Sequence, residues 1–345
     1  MVDRPSVARR SRDRSRLPDL PAHLERSARF IDGGAAWVRT WPAPLADFLE
    51  QWDLDLDLPD EGGIWAGTCG AVVPVTRRAA GGARAVLKLT VPHEEAFAEP
   101  DALALWDGDG AVRLLAASKS DYALLLERLD GDHSLADLPL ATTPEPWGRL
   151  VRELSVPAGD GAPWAAFPHL AAEAEQWTDT LPARWDELGR PLPRWLMEAA
   201  LEVCQSRGVV GRRSEHDVLV HSDLHYRNIL PSEPGQLSLF KAIDPKPLVG
   251  DAEYAVAPML WNRLRDLDSS DPAAHLRAHC ASLSRAAGLD AELAVGWTVV
   301  REVNNALWYL GDGRADDARR SLWVASSVLG RTLDGMPAAG DLKAL

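Results

Sequence analysis

The hydrophobic pattern of this chain changes period near its middle. Between residues 62 and 90, apolar runs rich in Val, Gly and Thr, namely Ala71-Val-Val-Pro-Val-Thr76 and Arg84-Ala-Val-Leu-Lys88-Leu-Thr90, predict two antiparallel strands with Gly81-Gly82 as their turn. Residues 93 to 107 predict a helix in which Pro100 sits in the first turn or makes a kink. Residues 112 to 115 and 122 to 129 predict two more strands. Beyond Asp130 the spacing turns helical, over residues 145 to 155, 166 to 189 and 193 to 207, the last opened by Pro191 and Pro193. A β-island interrupts these helices, with strands expected at residues 218 to 221 and 237 to 244 around a turn containing Gly and Pro. Leu293, Trp297, Val300, Val303, Leu307 and Leu310 then recur at steps of three and four, which marks one face of a long helix.

These elements predict an α+β chain with a small β-rich N-terminal lobe over residues 21 to 129 and a larger, mostly helical C-terminal lobe over residues 130 to 345. A length of 345 residues suits two lobes better than one core. Residues 1 to 20, with Arg4, Arg9, Arg10, Arg12, Arg14 and Arg16 and no apolar stretch, read as a disordered basic arm and exclude a secretory signal. No run of eighteen apolar residues occurs, so no membrane span is expected.

Composition adds limits. The formal net charge of -14 argues against a nucleic-acid partner and suits a cationic small-molecule substrate. The 14 Trp are expected mainly in cores and lobe packing. Cys69, Cys204 and Cys280 are odd in number and lack CxxC spacing, which indicates neither a disulfide framework nor a zinc cluster and fits a reducing cytoplasm.

The segment His221-Ser-Asp223-Leu-His225-Tyr-Arg-Asn228 fits H-x-D-L-x-x-x-N, the catalytic-loop pattern of protein kinases with its second position relaxed. The spacing suits phosphoryl transfer: a carboxylate orients the attacking hydroxyl, and an amide oxygen one loop-turn later binds a magnesium ion held by the phosphates. The apolar run Leu239-Phe-Lys-Ala-Ile243 leads directly into Asp244, a second candidate magnesium ligand. Lys88 in Ala85-Val-Leu-Lys88 is a strand-borne lysine suited to the α- and β-phosphates, Glu99 is its candidate partner, and the turn from Gly67 to Gly70 is a candidate phosphate-covering hairpin. Each residue alone is ordinary: an exposed strand lysine, a solvated helix acid, a loop cap. Their order along the chain is what points to a kinase. His221 and His225, four apart, also resemble a metal pair, but the glutamate of H-E-x-x-H is missing and the setting is strand and loop rather than helix.

The chain resembles the aminoglycoside 6-phosphotransferase and hydroxyurea phosphotransferase family, the streptomycin 6-kinase-like enzymes of the protein-kinase-like fold. The carriers are Ala85-Val-Leu-Lys88-Leu, Ala123-Leu-Leu-Leu-Glu-Arg-Leu-Asp130, the loop 221 to 228, and Ala242-Ile-Asp-Pro-Lys-Pro-Leu-Val-Gly-Asp251 continuing to Asn262. The resemblance implies a bilobal kinase that transfers the γ-phosphate of ATP, or GTP, with Mg2+ to a hydroxyl of an aminoglycoside-like antibiotic and so confers resistance. It implies Asp223 as catalytic residue, Asn228 and Asp244 as metal ligands, Lys88 on the phosphates, and the stretch from Glu127 to Leu129 as the hinge that meets adenine through its backbone. A kinase of another small metabolite such as hydroxyurea, or a kinase-fold binding protein with little turnover, is the alternative. Asp251 and Glu253 are candidates for lining a cationic acceptor site. Three positions depart from the family pattern: Ser222 replaces a usual glycine, Pro100 follows the helix glutamate, and Ala255 stands where a loop-bracing aspartate is usual.

Overall fold

A computed structural model describes residues 17–59, 63–208, 215–236 and 239–344. The chain divides into two compact units, residues 1–93 with 115–128 and residues 94–114 with 129–345.

In the first unit, three short helices, α1 (Ala22–Ala28), α2 (Gly34–Thr40) and α3 (Pro42–Gln51), precede an antiparallel sheet. Its strands are β1 (Leu54–Leu56), β2 (Trp65–Ala66), β3 (Gly70–Arg77), β4 (Ala83–Thr90), β5 (Leu114–Ser118) and β6 (Ala123–Glu127), in the order β1-β3-β4-β6-β5 with β2 also on β3. The predicted hairpin is present, with Gly81 at φ 67 and Gly82 at φ 84 in its turn, where a side chain would be strained. On β4 the period of two sends Ala85, Leu87 and Leu89 into a core with Leu24, Leu45, Phe48, Val73 and Leu125. Lys88 therefore occupies the opposite face of the strand, between Val72 and Leu124 on the neighbouring strands, and is only 7% exposed.

Three expectations for this region change. Met1 to Arg16 lie outside the described residues, but the end of the expected arm is packed: Leu20 is buried in the core and Trp41 donates its indole N–H to the Pro18 carbonyl at 2.8 Å. Ala111 and Val112 join the second unit, where Val112 donates to the Ala242 carbonyl at 2.8 Å, so β5 starts two residues later than the apolar run suggests. Residues 94–114 as a whole belong to the second unit, not to the lobe assigned them from the sequence.

The second unit is mostly helical. It contains α4 (Glu99–Trp106), α5 (Pro144–Leu154), α6 (Leu170–Glu187) and α7 (Arg194–Arg207), then β7 (Val218–His221), β8 (Ile229–Pro231), β9 (Phe240–Ala242) and β10 (Pro247–Gly250), then α8 (Ala257–Trp261), α9 (Pro272–Ala287), α10 (Ala291–Gly311) and α11 (Ala315–Val328). Pro100 lies in the first turn of α4, where its missing N–H would have had no helical partner, so this departure costs the helix little. The β-island is wired differently from its expected form: β7 pairs with β10, and the hairpin around the Gly/Pro turn joins β8 to β9. Helix α10 packs against α7, α9 and α11 through Trp297, Val300, Val303 and Leu307, the stripe read from the sequence. Trp147, Trp297 and Trp106 are buried in this unit, as their number in the chain suggested.

Candidate active site

The loop from His221 to Asn228 leaves the end of β7 and returns through β8, and the carbonyls of Ser222, Asp223, Leu224 and His225 each have a donor. The Ser222 carbonyl accepts from Arg301 Nη1 at 2.6 Å, and that of Asp223 from the His225 amide at 2.9 Å and Asn228 Nδ2 at 3.0 Å. The Leu224 carbonyl accepts from the Trp147 indole at 3.2 Å, and that of His225 from the Asn228 amide at 2.9 Å. Tyr226 anchors the loop from below, with its hydroxyl on the Met259 carbonyl at 3.1 Å and on His279 Nε2 at 2.8 Å. A buried loop with its backbone satisfied in this way holds one conformation.

Asn228 ties the two acids of the site together. Its side chain donates to Asp223, and its own carbonyl accepts from the Ile243 amide at 2.9 Å, directly before Asp244. Asp244 sits at φ 55, a left-handed conformation unusual outside glycine, and such strain gathers at functional positions. His221 completes the frame: Nε2 meets the Ile243 carbonyl at 2.9 Å, Nδ1 accepts from the Asp223 amide at 3.3 Å, and the ring stacks on Trp106 at 6.2 Å. Burial lowers the His221 pKa and keeps the ring neutral. Both ring nitrogens of His221 are thus engaged in holding the loop. Among the described residues no group of three or more His, Cys, Asp or Glu is poised around a metal. Asn228 and Asp244 nevertheless fit a magnesium ion, which usually takes one or two carboxylate or amide oxygens and fills its shell with phosphate and water.

Lys246 adds a cation. Its ammonium lies 3.1 Å from Glu95 Oε2 and 3.6 Å from Asp223 Oδ2. Burial alone would lower its pKa, but Asp223, Glu95 and Asp244 outweigh burial and raise it. Ser222, the departure from glycine, is put to use here: its amide and hydroxyl donate to the Lys246 carbonyl at 3.2 and 2.7 Å, joining the catalytic loop to the segment after Asp244.

The aspartate that the resemblance implies at position 255 is absent, and a cation from α10 bonds the loop. Ala255 is buried, and Arg301 of α10 reaches the loop instead, its guanidinium lying over the rings of Tyr254 at 4.4 Å and Trp261 at 5.2 Å. Sequence reasoning missed Arg301, Lys246 and Glu95. Lys246 directly follows the Asp244-Pro pair and could have been singled out there; Arg301 carries no local signal.

Asp251 and Glu253 do not form an acidic lining. Asp251 is buried in an ion pair with Arg207, at 2.8 Å to Nε, and also accepts from the Trp297 indole at 2.9 Å. Glu253 accepts from the Asp290 amide at 3.1 Å, at the start of α10. Both acids brace helices because an Arg and two helix termini surround them.

The other candidates fall in two places. In the first unit, the Gly67 amide donates to the Gly70 carbonyl at 3.0 Å, closing the hairpin turn between β2 and β3, and a Cβ on Gly70 would come within 3.3 Å of the Leu89 carbonyl. Glu127 ends β6, and the next residue, Arg128, pairs with Asp57 at 2.5 Å. In the second unit, Glu99 is 3% exposed at the start of α4, and Leu129 precedes Asp130, whose amide donates to the Pro231 carbonyl at 3.1 Å.

Residues 57–313 match the family of aminoglycoside/hydroxyurea antibiotic resistance kinases. The chain is 35% identical to a streptomycin 6-kinase of Streptomyces griseus over 92% of this chain and 98% of that protein. It is 36% identical to a hydroxyurea phosphotransferase of Kitasatospora aureofaciens over 96% of this chain and 94% of that one. A thermostable mutant of aminoglycoside phosphotransferase APH(4)-Ia, solved with ADP and hygromycin B, shares the fold with a TM-score of 0.55 at 14% identity, over 83% of this chain and 97% of its own. The chain belongs to the aminoglycoside/hydroxyurea antibiotic resistance kinase family and is a phosphotransferase with a hydroxyl acceptor.

Proposed function

We propose that this kinase uses ATP and magnesium to phosphorylate a hydroxyl of streptomycin or a close aminoglycoside, inactivating it. The observation that carries the reading is the hydrogen-bonded unit of Asp223, Asn228 and the Ile243-Asp244 turn, in a chain alignable with a streptomycin 6-kinase over nearly its whole length. Asp223 orients the acceptor hydroxyl and takes its proton; the pinned loop keeps that carboxylate in place, so little reorganisation accompanies transfer. Asn228 and Asp244 hold the metal, which supplies charge neutralisation on the phosphates when bound. Lys88 contributes a phosphate-binding ammonium. The turn Gly67 to Gly70 is the phosphate-covering hairpin, and the backbone at Glu127 is the candidate contact for the base.

Hydroxyurea is the second acceptor to test, because a hydroxyurea phosphotransferase matches this chain as well as the streptomycin kinases do. A binding protein without turnover is disfavoured by the hydrogen-bonded loop from Ser222 to Asn228, in which Arg301 bonds the Ser222 carbonyl next to Asp223. The test is incubation of the purified chain with ATP, magnesium and each acceptor, with mass spectrometry for one added phosphoryl group. Transfer to streptomycin supports the reading; transfer to hydroxyurea alone selects the second acceptor; ATP use with neither, in a chain whose growth protection is also nil, overturns both.

A further inference from the structure

Resting on that reading, we propose that Lys246 is a catalytic residue that contacts the transferring phosphoryl group. Its main chain is fixed against the catalytic loop: the Lys246 carbonyl accepts two hydrogen bonds from Ser222, and the next residue, Pro247, opens β10 opposite His221 of β7. Its side chain is not fixed in the same way. It is 45% exposed and reaches back to Asp223 at 3.6 Å and to Glu95 at 3.1 Å.

Stability does not account for this arrangement. Half-exposed pairs with a lysine contribute little, and the flexible stem loses rotamer freedom in making them. Reaction geometry does account for it. The phosphoryl group in flight would pass from the leaving diphosphate oxygen to the hydroxyl oriented by Asp223, with Asn228 and Asp244 as the residues that would hold the metal, and the Lys246 ammonium lies 3.6 Å from Asp223 and two residues beyond Asp244 in the chain. At 3.6 Å its ammonium is beyond a true hydrogen bond to Asp223, so turning its donors to a phosphoryl oxygen breaks no bond to that carboxylate. Glu95, 61% exposed on its side chain, holds the ammonium nearby when no phosphate is present.

In the step itself, the bond from phosphorus to the acceptor oxygen forms as the bond to the leaving diphosphate oxygen breaks, and the acceptor proton passes to Asp223. Lys246 forms and breaks no covalent bond. It neutralises charge on the equatorial oxygens, which peaks in the transition state, so its effect falls on turnover more than on nucleotide binding as a whole.

The experiment compares wild type with Lys246→Met and Lys246→Arg in two readouts: steady-state phosphotransfer, and calorimetric binding of magnesium with either ADP or a non-hydrolysable ATP analogue. The Met variant is expected to lose about 10²- to 10³-fold in kcat, to bind the triphosphate analogue about tenfold more weakly, and to bind ADP as wild type does, with Arg restoring part of each loss. A kcat close to that of wild type overturns the proposal, and so does equal weakening of ADP and the analogue, which would mark a general structural or field effect. If wild type phosphorylates no acceptor, the acceptor assignment fails, and the analogue-against-ADP comparison still decides the role of Lys246. Should the Met variant not fold, Lys246→Gln carries the same decision.

Discussion

Arg301 donates from Nη1 to the carbonyl of Ser222, 79 residues away, at 2.6 Å, and this bond fixes the residue just before Asp223, the proposed catalytic residue, from the middle of α10. The same guanidinium lies over Tyr254 and Trp261, so its position is set by two aromatic faces before it meets the loop. Replacing it by Met removes the donor and the ring contacts and leaves a carbonyl without its partner. The expected result is a fall of about 10- to 100-fold in kcat with KM for ATP near that of wild type, since a misplaced nucleophile-orienting group costs rate rather than affinity. Arg301→Lys should recover stability better than turnover, because one ammonium cannot stack and donate with the same planar geometry. Steady-state kinetics alongside thermal unfolding checks both; unchanged kcat in the Met variant would remove Arg301 from the mechanism.

Asp223→Asn keeps the size of the side chain and the bonds to the loop's carbonyls, whose donors are main-chain amides and the side chains of Arg301, Trp147 and Asn228. It removes the carboxylate proposed to take the acceptor proton. Phosphotransfer is expected to drop about 10²- to 10⁴-fold with the unfolding midpoint close to wild type. A variant that still turns over normally would move the catalytic role elsewhere.

How much of this was legible before the coordinates depends on sequence distance. Asp223, Asn228 and Asp244 lie within one loop and the next hairpin, so their spacing alone carried the chemistry. The groups that hold them do not: Trp147 reaches Leu224 across 77 residues, His279 reaches Tyr226 across 53, and Arg301 reaches Ser222 across 79. Trp147 and Arg301 sit in helices read from the sequence and His279 in one, α9, that was not, and nothing local distinguishes a side chain that bonds a distant loop from one that faces water. Asp251 and Glu253 failed for the same reason, because their acidic charge was visible and their partners Arg207, Trp297 and Asp290 were not. The pairing in the β-island was equally hidden, since β10 was not read as a strand and it is β10 that pairs with β7, leaving β9 to β8.

The buried pair of Asp251 and Arg207 gives a test that separates bracing from substrate contact. Asp251→Asn leaves the arginine without its counter-charge but keeps an oxygen for the Trp297 indole. Because Arg207 is partly solvated, at 36% side-chain exposure, the loss is expected at about 1–3 kcal/mol rather than the larger figure for a fully buried ion. Denaturant unfolding should show that loss, with the KM for the acceptor unchanged in the folded variant. A raised acceptor KM at full stability would return Asp251 to the substrate site.

His279 makes the fold sensitive to acid. Burial, with His275 and Arg263 adding repulsion, lowers its pKa to about 4 while it bonds the Tyr226 hydroxyl beneath the catalytic loop. The unfolded chain takes up this proton near the ordinary histidine value, so its contribution is complete above about 6.5 and is lost as pH falls towards 4. The size is about 2–4 kcal/mol across that window, from one pKa unit being about 1.4 kcal/mol. His279→Gln keeps a side chain able to bond Tyr226 and removes the proton uptake. Its unfolding free energy should therefore fall less steeply than that of wild type between pH 6.5 and 4, and parallel curves would show that other groups set the acid limit.

Glu302 predicts the opposite slope. It neighbours Arg301 on α10 and is 1% exposed; Asn305 donates to Oε1 at 3.0 Å, and Oε2 has no hydrogen-bond partner among the described residues. Burial raises its pKa to about 7, against the lowering effects of Ser321, Asn305, Arg301 and Arg320. A carboxyl with a raised folded-state pKa favours the folded chain while protonated, so stability is fully present below about 4.5 and declines as pH rises through about 7. Glu302→Gln fixes the neutral form. It removes the charge penalty at pH 8, of about 2–4 kcal/mol by the same conversion, and gives part of it back through an amide N–H that lacks an acceptor. The variant should thus be the more stable protein at pH 8 and level with or below wild type at pH 5, a crossing that chemical unfolding at the two pH values reads directly. A variant weaker than wild type at both would mean that ionised Glu302 is held by Arg301 and Arg320 more strongly than burial opposes it.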